Sequence, residues 1–453
     1  MTITLIGFAL APLGVFAFLF RPHWLAPLAV FFIPFSATAI VNVSSVSFGL
    51  SPAIFFGICL IARMAATGDL WRARGLSDGH RALLVLLTVF WFATAVSTAA
   101  SAVEQRSSLS NLTQFGYLTF GIGFTAAFSL ALTDPDALRR TLTALRASVV
   151  FVCLWGVVQV ATNAVGAPYP AFLFNNSGGD FADMFDQSFA GGVTRISSVA
   201  VEPSFLAFSL GLALAFGATA CLRGDRALRA AWAPVVLFSA AVVFGSTSST
   251  GYMAMAGVLA LVCIYRPPVA VALGVAGLAG LLILSLVEPA FVDAVRVVTL
   301  GKFETFSFND RLQTIIRGVD TFRDHPFAGA GWGASFAFSL PVLLLANAGV
   351  LGVGAFSIAV LATLVYEQRR RRALLAVSPV EPHGGQAVLA GARNAFLLAL
   401  LIMTASGFRY QVLDFWFYWA LAIASLSTDA RTAPVRAAVK NPSNGKRTLR
   451  FIN

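Results

Sequence analysis

Apolar runs of 18 to 21 residues follow one another along the chain, separated by polar connections; Leu83–Ala100, Leu112–Leu132, Ala147–Val165, Phe205–Leu222 and Val269–Val287 are among them. A helix needs roughly 20 apolar residues to cross a bilayer, so the pattern predicts twelve to thirteen spans. The first run, Ile3–Phe20, has no basic start and no small-residue cleavage site before a soluble domain, and reads as a retained span rather than a removed signal. Most connections on one side are short. Two are long, Gly166–Val201 and Glu288–Gly333, and function is expected to concentrate there.

Composition places the chain in a membrane, because 58% hydrophobic against 11% charged residues leaves a soluble 453-residue core without enough polar surface to cover it. The expected architecture is all-α: a polytopic helical bundle over residues 1–427 with a large helical external loop, followed by a basic tail, 428–453, whose Pro, Asn and Gly content suits a disordered cytoplasmic end. Orientation follows from the basic residues. Of the 31 Lys and Arg, 23 fall in one alternate set of connections and the tail, and 8 in the other; the richer set belongs inside and the long loops outside. The net charge of +11 is thereby a topology signal, and nucleic-acid binding does not follow from it. The four cysteines stand singly, with neither a disulfide framework nor metal-ligand spacing. No repeat period and no inverted pair of broken spans is visible.

Five of the eight external basic residues lie in the second long loop: Arg296, Lys302, Arg311, Arg317 and Arg323. Charge placed against the topological preference usually has a local purpose, with solubilisation of a large loop as the competing explanation. Within it, NDRLQTIIRGVDTFRDHP, Asn309–Pro326, carries Leu312, Ile315, Ile316, Val319 and Phe322 at helical spacing, with Asn309 or Asp310 as N-cap and Pro326 as terminator. On that wheel Arg317 shares a side with Asp310, Asp320 and Asp324 and suits a solvated ion-pair face. Arg311 falls at the edge of the apolar stripe and Arg323 near its centre, where an arginine must meet an anion or a structural carboxylate. His325 reads as a turn residue or a general base, and the glycine-rich FAGAGWGASF, Phe327–Phe336, as a turn leading into the next span.

The stretch RISSVAVEPSF, Arg195–Phe205, sets an arginine and a glutamate at the mouth of an apolar segment. Glu202 before Pro203 suits a helix-capping acid or, alternatively, an acceptor-hydroxyl base or an orienter of Arg195. RISSVAVEPSF, then FGSTSSTGYM, then the basic loop with NDRLQTIIRGVDTFRDHPFAGAGWG, then ANAGVLGVGAF, in that order over Arg195–Trp419, resemble the O-antigen ligase and polymerase superfamily of bacterial surface-polysaccharide assembly.

The resemblance implies a GT-C-like glycosyltransferase that uses an undecaprenyl-pyrophosphate-linked glycan at the outer face of the inner membrane, with no metal or other cofactor. It implies that Arg195 and Arg311 hold the donor pyrophosphate, which a planar guanidinium does by forking onto phosphate oxygens. Two positions depart from the family pattern. Aligning on Gly349 and Gly352 puts Ser339 where an Asn, Ser or Gln belongs but Phe338 where the ligases carry histidine, and Ser249-Thr250-Gly251 stands where Ser-Arg-Gly is common. The expectation is therefore a polymerase of lipid-linked repeat units, with a ligase onto a lipid or protein acceptor as the near alternative and a transporter or lipid flippase as the alternative of another class. The expected catalytic residues are Arg195, Glu202, Arg311 and Arg323, with Arg317, His325, Arg296, Lys302 and Ser339 around the substrate. A chain-length regulator and a flippase are the implied protein partners.

Overall fold

The computed structural model describes residues 2–43, 48–71, 76–103, 109–177, 189–190, 193–301, 306–377, 384–407 and 412–427. The first part of the chain runs β1 (Thr2–Ile3), α1 (Leu5–Phe20), α2 (Leu25–Phe31), β2 (Val41–Val43), β3 (Phe48–Leu50), α3 (Pro52–Ala66), α4 (Asp78–Val103), α5 (Leu109–Ala131) and α6 (Pro135–Ala164). A loop follows, with the single-turn α7 (Ala171–Phe174) and strands β4 (Phe189–Ala190) and β5 (Val193–Thr194), and leads into α8 (Pro203–Arg223), α9 (Arg226–Gly245), α10 (Ser249–Tyr265) and α11 (Pro267–Val287). The second long loop carries α12 (Pro289–Thr299) and α13 (Phe306–Asp324); the chain closes with α14 (Leu340–Val377), α15 (Gly384–Ser406) and α16 (Asp414–Ala424). The strands form two small antiparallel sheets, ordered β1-β2-β3 and β4-β5.

The protein is an all-α polytopic membrane protein. Among the described residues, seven helices are long and apolar enough to cross a membrane: α4, α6, α8, α9, α11, α14 and α15; α1, α3 and α10 are shorter apolar helices. The expected twelve to thirteen spans counted apolar runs, and apolar composition does not by itself make a continuous helix. After the seven residues of α2 the chain turns at Pro34, which has no N–H to donate, and returns as β2.

Helix α8 is the centre of the bundle. It packs on α9, α10 and α15, and its buried residues run almost without interruption from Pro203 to Ala220. Small residues make this close approach possible: a Cβ at Gly211 would lie 2.5 Å from that of Ala254 in α10, and one at Gly217 would strike Trp232 of α9.

Helix α14 is broken at Gly349, where φ is 61° and ψ −166°. Only glycine suits the position, for a Cβ there would fall 2.2 Å from the carbonyl oxygen of Phe327. The amides freed by the break do not go unpaired: Val350 N–H donates to the Pro326 carbonyl at 2.9 Å and Leu351 N–H to the Phe327 carbonyl at 3.3 Å. From the other side Asn347 binds the glycine-rich turn, accepting from Ser335 N–H at 3.0 Å and donating to the Ser335 carbonyl at 2.7 Å. FAGAGWG and ANAGVLG are thus two halves of one backbone brace.

Candidate functional site

The turn that carries Arg195 and Glu202 is held against the bundle by a buried polar frame. Ser198 has φ at 53°, left-handed for a residue with a side chain, a conformation that costs about 1–3 kcal/mol unless its surroundings impose it. Here they do. Gln159 of α6, 2% exposed, accepts from the N–H groups of Ser197 and Ser198 at 3.0 and 2.8 Å and donates to Ser197 Oγ at 3.2 Å. Ser198 Oγ donates to the Val152 carbonyl at 2.7 Å, while Tyr169 and Asn175 both donate to the Ser198 carbonyl at 3.1 Å. Ile196 seats against Gly156 of α6 and Gly245 of α9.

Arg195 and Glu202 flank this turn, and α13 brings Arg311 to them. Burial pulls the Arg195 guanidinium below its ordinary pKa, opposed by the charge of Glu202 and then by Tyr252. Arg311 is lowered by burial too, opposed by Glu202 and then by Asp310. The charge of Glu202 is thus felt by an arginine from each of the two long loops. Glu202 occupies the N-cap of α8 in extended geometry, yet its side chain caps no helix amide; it accepts from the Ser204 hydroxyl. Glu202 thus stands beside the N-terminus of α8 without a capping hydrogen bond from its carboxylate. Arg195 Nε is buried without a hydrogen-bond partner.

Phe338, where the resemblance led to the expectation of histidine, lies under Arg311: the guanidinium carbon sits 4.8 Å from the ring centroid. The ring is itself fixed, with Phe336 edge-on at 4.8 Å and the Phe338 N–H donating to Thr314 Oγ1 at 3.4 Å. The aromatic residue offers no ring nitrogen for proton transfer, and provides a seat for the cation instead.

The other expected residues are dispersed. Arg323, placed by the helical wheel near the centre of the buried stripe, is 73% exposed and pairs with Asp320 at 3.0 Å. The wheel weighted large apolar side chains, whereas α13 packs through its small ones: Thr314 and Gly318 are buried, a Cβ at Gly318 would strike Val342 of α14, and Leu312 and Ile316 remain exposed. The ion-pair face expected at Arg317 forms at Arg323, and Arg317 Nε turns back to the Gln313 carbonyl at 3.3 Å. His325 lies one residue beyond the end of α13, about 21 Å along the helix from Arg311 at 1.5 Å per residue. Arg296 is exposed on α12, Ser339 is half-buried just before α14, and Lys302 lies outside the described residues.

Sequence reasoning missed Gln159 and Tyr252. A glutamine inside an otherwise apolar span was the available signal for the first, since a polar side chain at that depth needs a partner. Tyr252 carried none, being one aromatic residue among many.

Residues 234–342 match the family described as O-antigen ligase. No curated protein matches the chain. The matched segment runs from α9 into the start of α14 and includes Arg311 and Phe338; Arg195 and Glu202 precede it. The match covers 109 of the 453 residues and supports the resemblance to the O-antigen ligase and polymerase superfamily over that segment.

Proposed function

We propose that the protein polymerises undecaprenyl-pyrophosphate-linked oligosaccharide repeat units at the periplasmic face of the bacterial inner membrane. The observation that carries this reading is that Arg195 and Arg311, both half-buried and from different long loops, lie within electrostatic reach of Glu202. In the reaction a hydroxyl at the free end of the acceptor unit attacks the anomeric carbon of the donor glycan. The new glycosidic C–O bond forms as the bond to pyrophosphate breaks, and undecaprenyl pyrophosphate leaves. Arg195 and Arg311 bind the pyrophosphate and offset its growing charge; Glu202 takes the hydroxyl proton. Polymerisation is favoured over ligation by Phe338, which has no ring nitrogen at the position where ligases carry histidine. A chain-length regulator and a flippase would act alongside.

Purified protein given lipid-linked repeat units alone is expected to produce a ladder of lengthening lipid-linked chains, and cells lacking it should accumulate single units. A strict requirement for a second, chemically different acceptor would assign the ligase activity instead.

A further inference from the structure

Helix α6 has 30 residues and is about 45 Å long, whereas the hydrocarbon of a bilayer is about 30 Å thick. Its apolar run begins at Ala147, so the helix overhangs the hydrocarbon at its N-terminal end, the end away from Gln159. That overhang carries Arg139, Arg140 and Arg146. Two open cavities flank it. One of about 530 Å³ lies between α6 and α2, lined by Trp24, Pro27, Leu28 and Phe31 together with Arg139 and Arg140. The other, about 460 Å³, lies on the α9 side, lined by Val150, Phe151 and Leu154 together with Arg146. Thr143 lines both. The first wall is fixed in place, because Ser148 of α6 donates its hydroxyl proton to the Phe31 carbonyl at the end of α2.

The arginines are loosely engaged. Arg139 and Arg140 stand 3.7 and 3.8 Å from Asp136 and Asp134, beyond hydrogen-bond distance, and Arg140 Nε is buried without a hydrogen-bond partner. Arg146 donates to the Thr143 hydroxyl at 3.3 Å. These features select a ligand class. A soluble anion uses none of the apolar wall, and a neutral tail leaves Arg140 Nε unpaired. A zwitterionic lipid brings a further cation to a place where, among the described residues, three arginines already face two aspartates. An anionic lipid meets both demands. Measured along the helix, Arg146 lies about 4.5 Å to the hydrocarbon side of Thr143 and Arg139 about 6 Å to the aqueous side. Arginine stems lie along apolar surface while their heads reach the polar layer, so both can meet a phosphate at the level of Thr143.

We propose that α6 carries a binding site for one anionic phospholipid, its phosphate at Thr143 between Arg140 and Arg146 and its two acyl chains straddling the helix, one in each cavity. The site belongs to the leaflet opposite Arg195 and Glu202 and is independent of the polymerase reading. The lipid anchors one end of the helix whose other end, at Gln159, clasps the Arg195 turn.

The test uses the full protein in phosphatidylcholine nanodiscs that carry a minor fraction of phosphatidylglycerol, with native mass spectrometry reading the lipid retained. Wild type should retain phosphatidylglycerol in preference to phosphatidylcholine. Arg140→Gln with Arg146→Gln should lower that preference by roughly thirtyfold, the effect of two cations at an anionic lipid surface. Ala144→Trp leaves every charge in place and fills the cavity on the α2 side; it should lower retention by roughly tenfold, and it carries the test alone if the double variant folds poorly. Arg369→Gln with Arg372→Gln removes the same charge from α14, which lines neither cavity, and should stay within about twofold of wild type. An equal loss in that control, or full retention in Ala144→Trp, overturns the site and leaves only diffuse attraction to a charged surface. In pure phosphatidylcholine nanodiscs, added phosphatidylglycerol should raise the unfolding temperature while inorganic phosphate should not. An equal rise with inorganic phosphate overturns the lipid in favour of a free anion.

Discussion

Two charge clusters lie at opposite ends of α8, about 31 Å apart along its 21 residues, and they are built differently. At the Arg223 end, Arg393 engages every nitrogen of its guanidinium: Nη1 with Glu367 at 3.4 Å, Nη2 with Tyr265 at 2.9 Å and with Asn394 at 3.0 Å, and Nε with Asn394 at 3.1 Å. Asn394 passes the network to Thr219 at 2.9 Å, and Arg223 stacks over the Tyr265 ring at 5.4 Å. Four helices, α8, α10, α14 and α15, are tied by this cluster. At the Glu202 end, Arg195 keeps a buried Nε with no partner, and the charge of one carboxylate reaches two arginines. Buried atoms without a hydrogen bond occur at both ends, Arg195 Nε at one and Arg223 Nη1 and Glu367 Oε1 at the other, and an unmade bond on a buried donor costs about 1–3 kcal/mol; the ends differ in that Arg393 has every guanidinium nitrogen engaged and Arg195 does not. The closed cluster joins helices; in the function proposed above, the other offers Arg195 Nε to an anion.

The largest expected effect breaks the closed cluster. Arg393→Ala leaves Glu367, 2% exposed, without its cation, and should destabilise the protein by about 3–5 kcal/mol. Thermal unfolding in detergent measures this, and activity per folded molecule should be preserved. An Arg393→Ala protein of unchanged stability with lost turnover would reverse the assignment of the two ends.

Arg195→Ala and Arg311→Ala should do the opposite. In the proposed mechanism each removes charge-assisted contacts to the donor, and polymer output at matched protein level should fall by roughly one to two powers of ten with unfolding temperature little changed. Lysine should restore only part, lacking the planar fork. Glu202→Gln sharpens the point: because the side chain makes no helix cap, stability should hold while turnover falls by a similar factor.

Gln159→Leu should show both effects in smaller measure. It strips the Ser197–Ser198 turn of three hydrogen bonds, and a loss of about 1–3 kcal/mol in stability should accompany a several-fold drop in output as Arg195 loses its fixed position. Arg323→Ala should be the mildest, within about 0.5 kcal/mol of wild type by thermal unfolding and with normal output, since it breaks only an exposed pair with Asp320. A large loss of output there would restore Arg323 to the site.

Helical spans, the helix of the second long loop and the RISSVAVEPSF turn were legible in the chain because each rests on local rules: the length of an apolar run, 3.6-residue periodicity, and a proline at a helix start. The loop helix was expected from Asn309 to Pro326 and runs from Phe306 to Asp324, close agreement for a pattern read without its neighbours.

Which face of that helix is buried was not legible. Hydrophobic size points to the stripe through Leu312 and Ile316, but the bundle takes the face with Thr314 and Gly318, because only a glycine admits α14 at contact distance. That rotation buries Arg311 and exposes Arg323. Sequence by itself determined that charged residues cluster in two loops of a membrane protein. Tertiary structure decided that Arg195 and Arg311 come within reach of the Glu202 charge, that Phe338 lies under the second of them, and that Gln159 fixes the turn of the first. The reason is physical: periodicity and propensity act between residues a few positions apart, whereas a carboxylate whose charge reaches two loops, a cation over a ring and a glutamine clasping a distant turn exist only once helices far apart in the chain have packed.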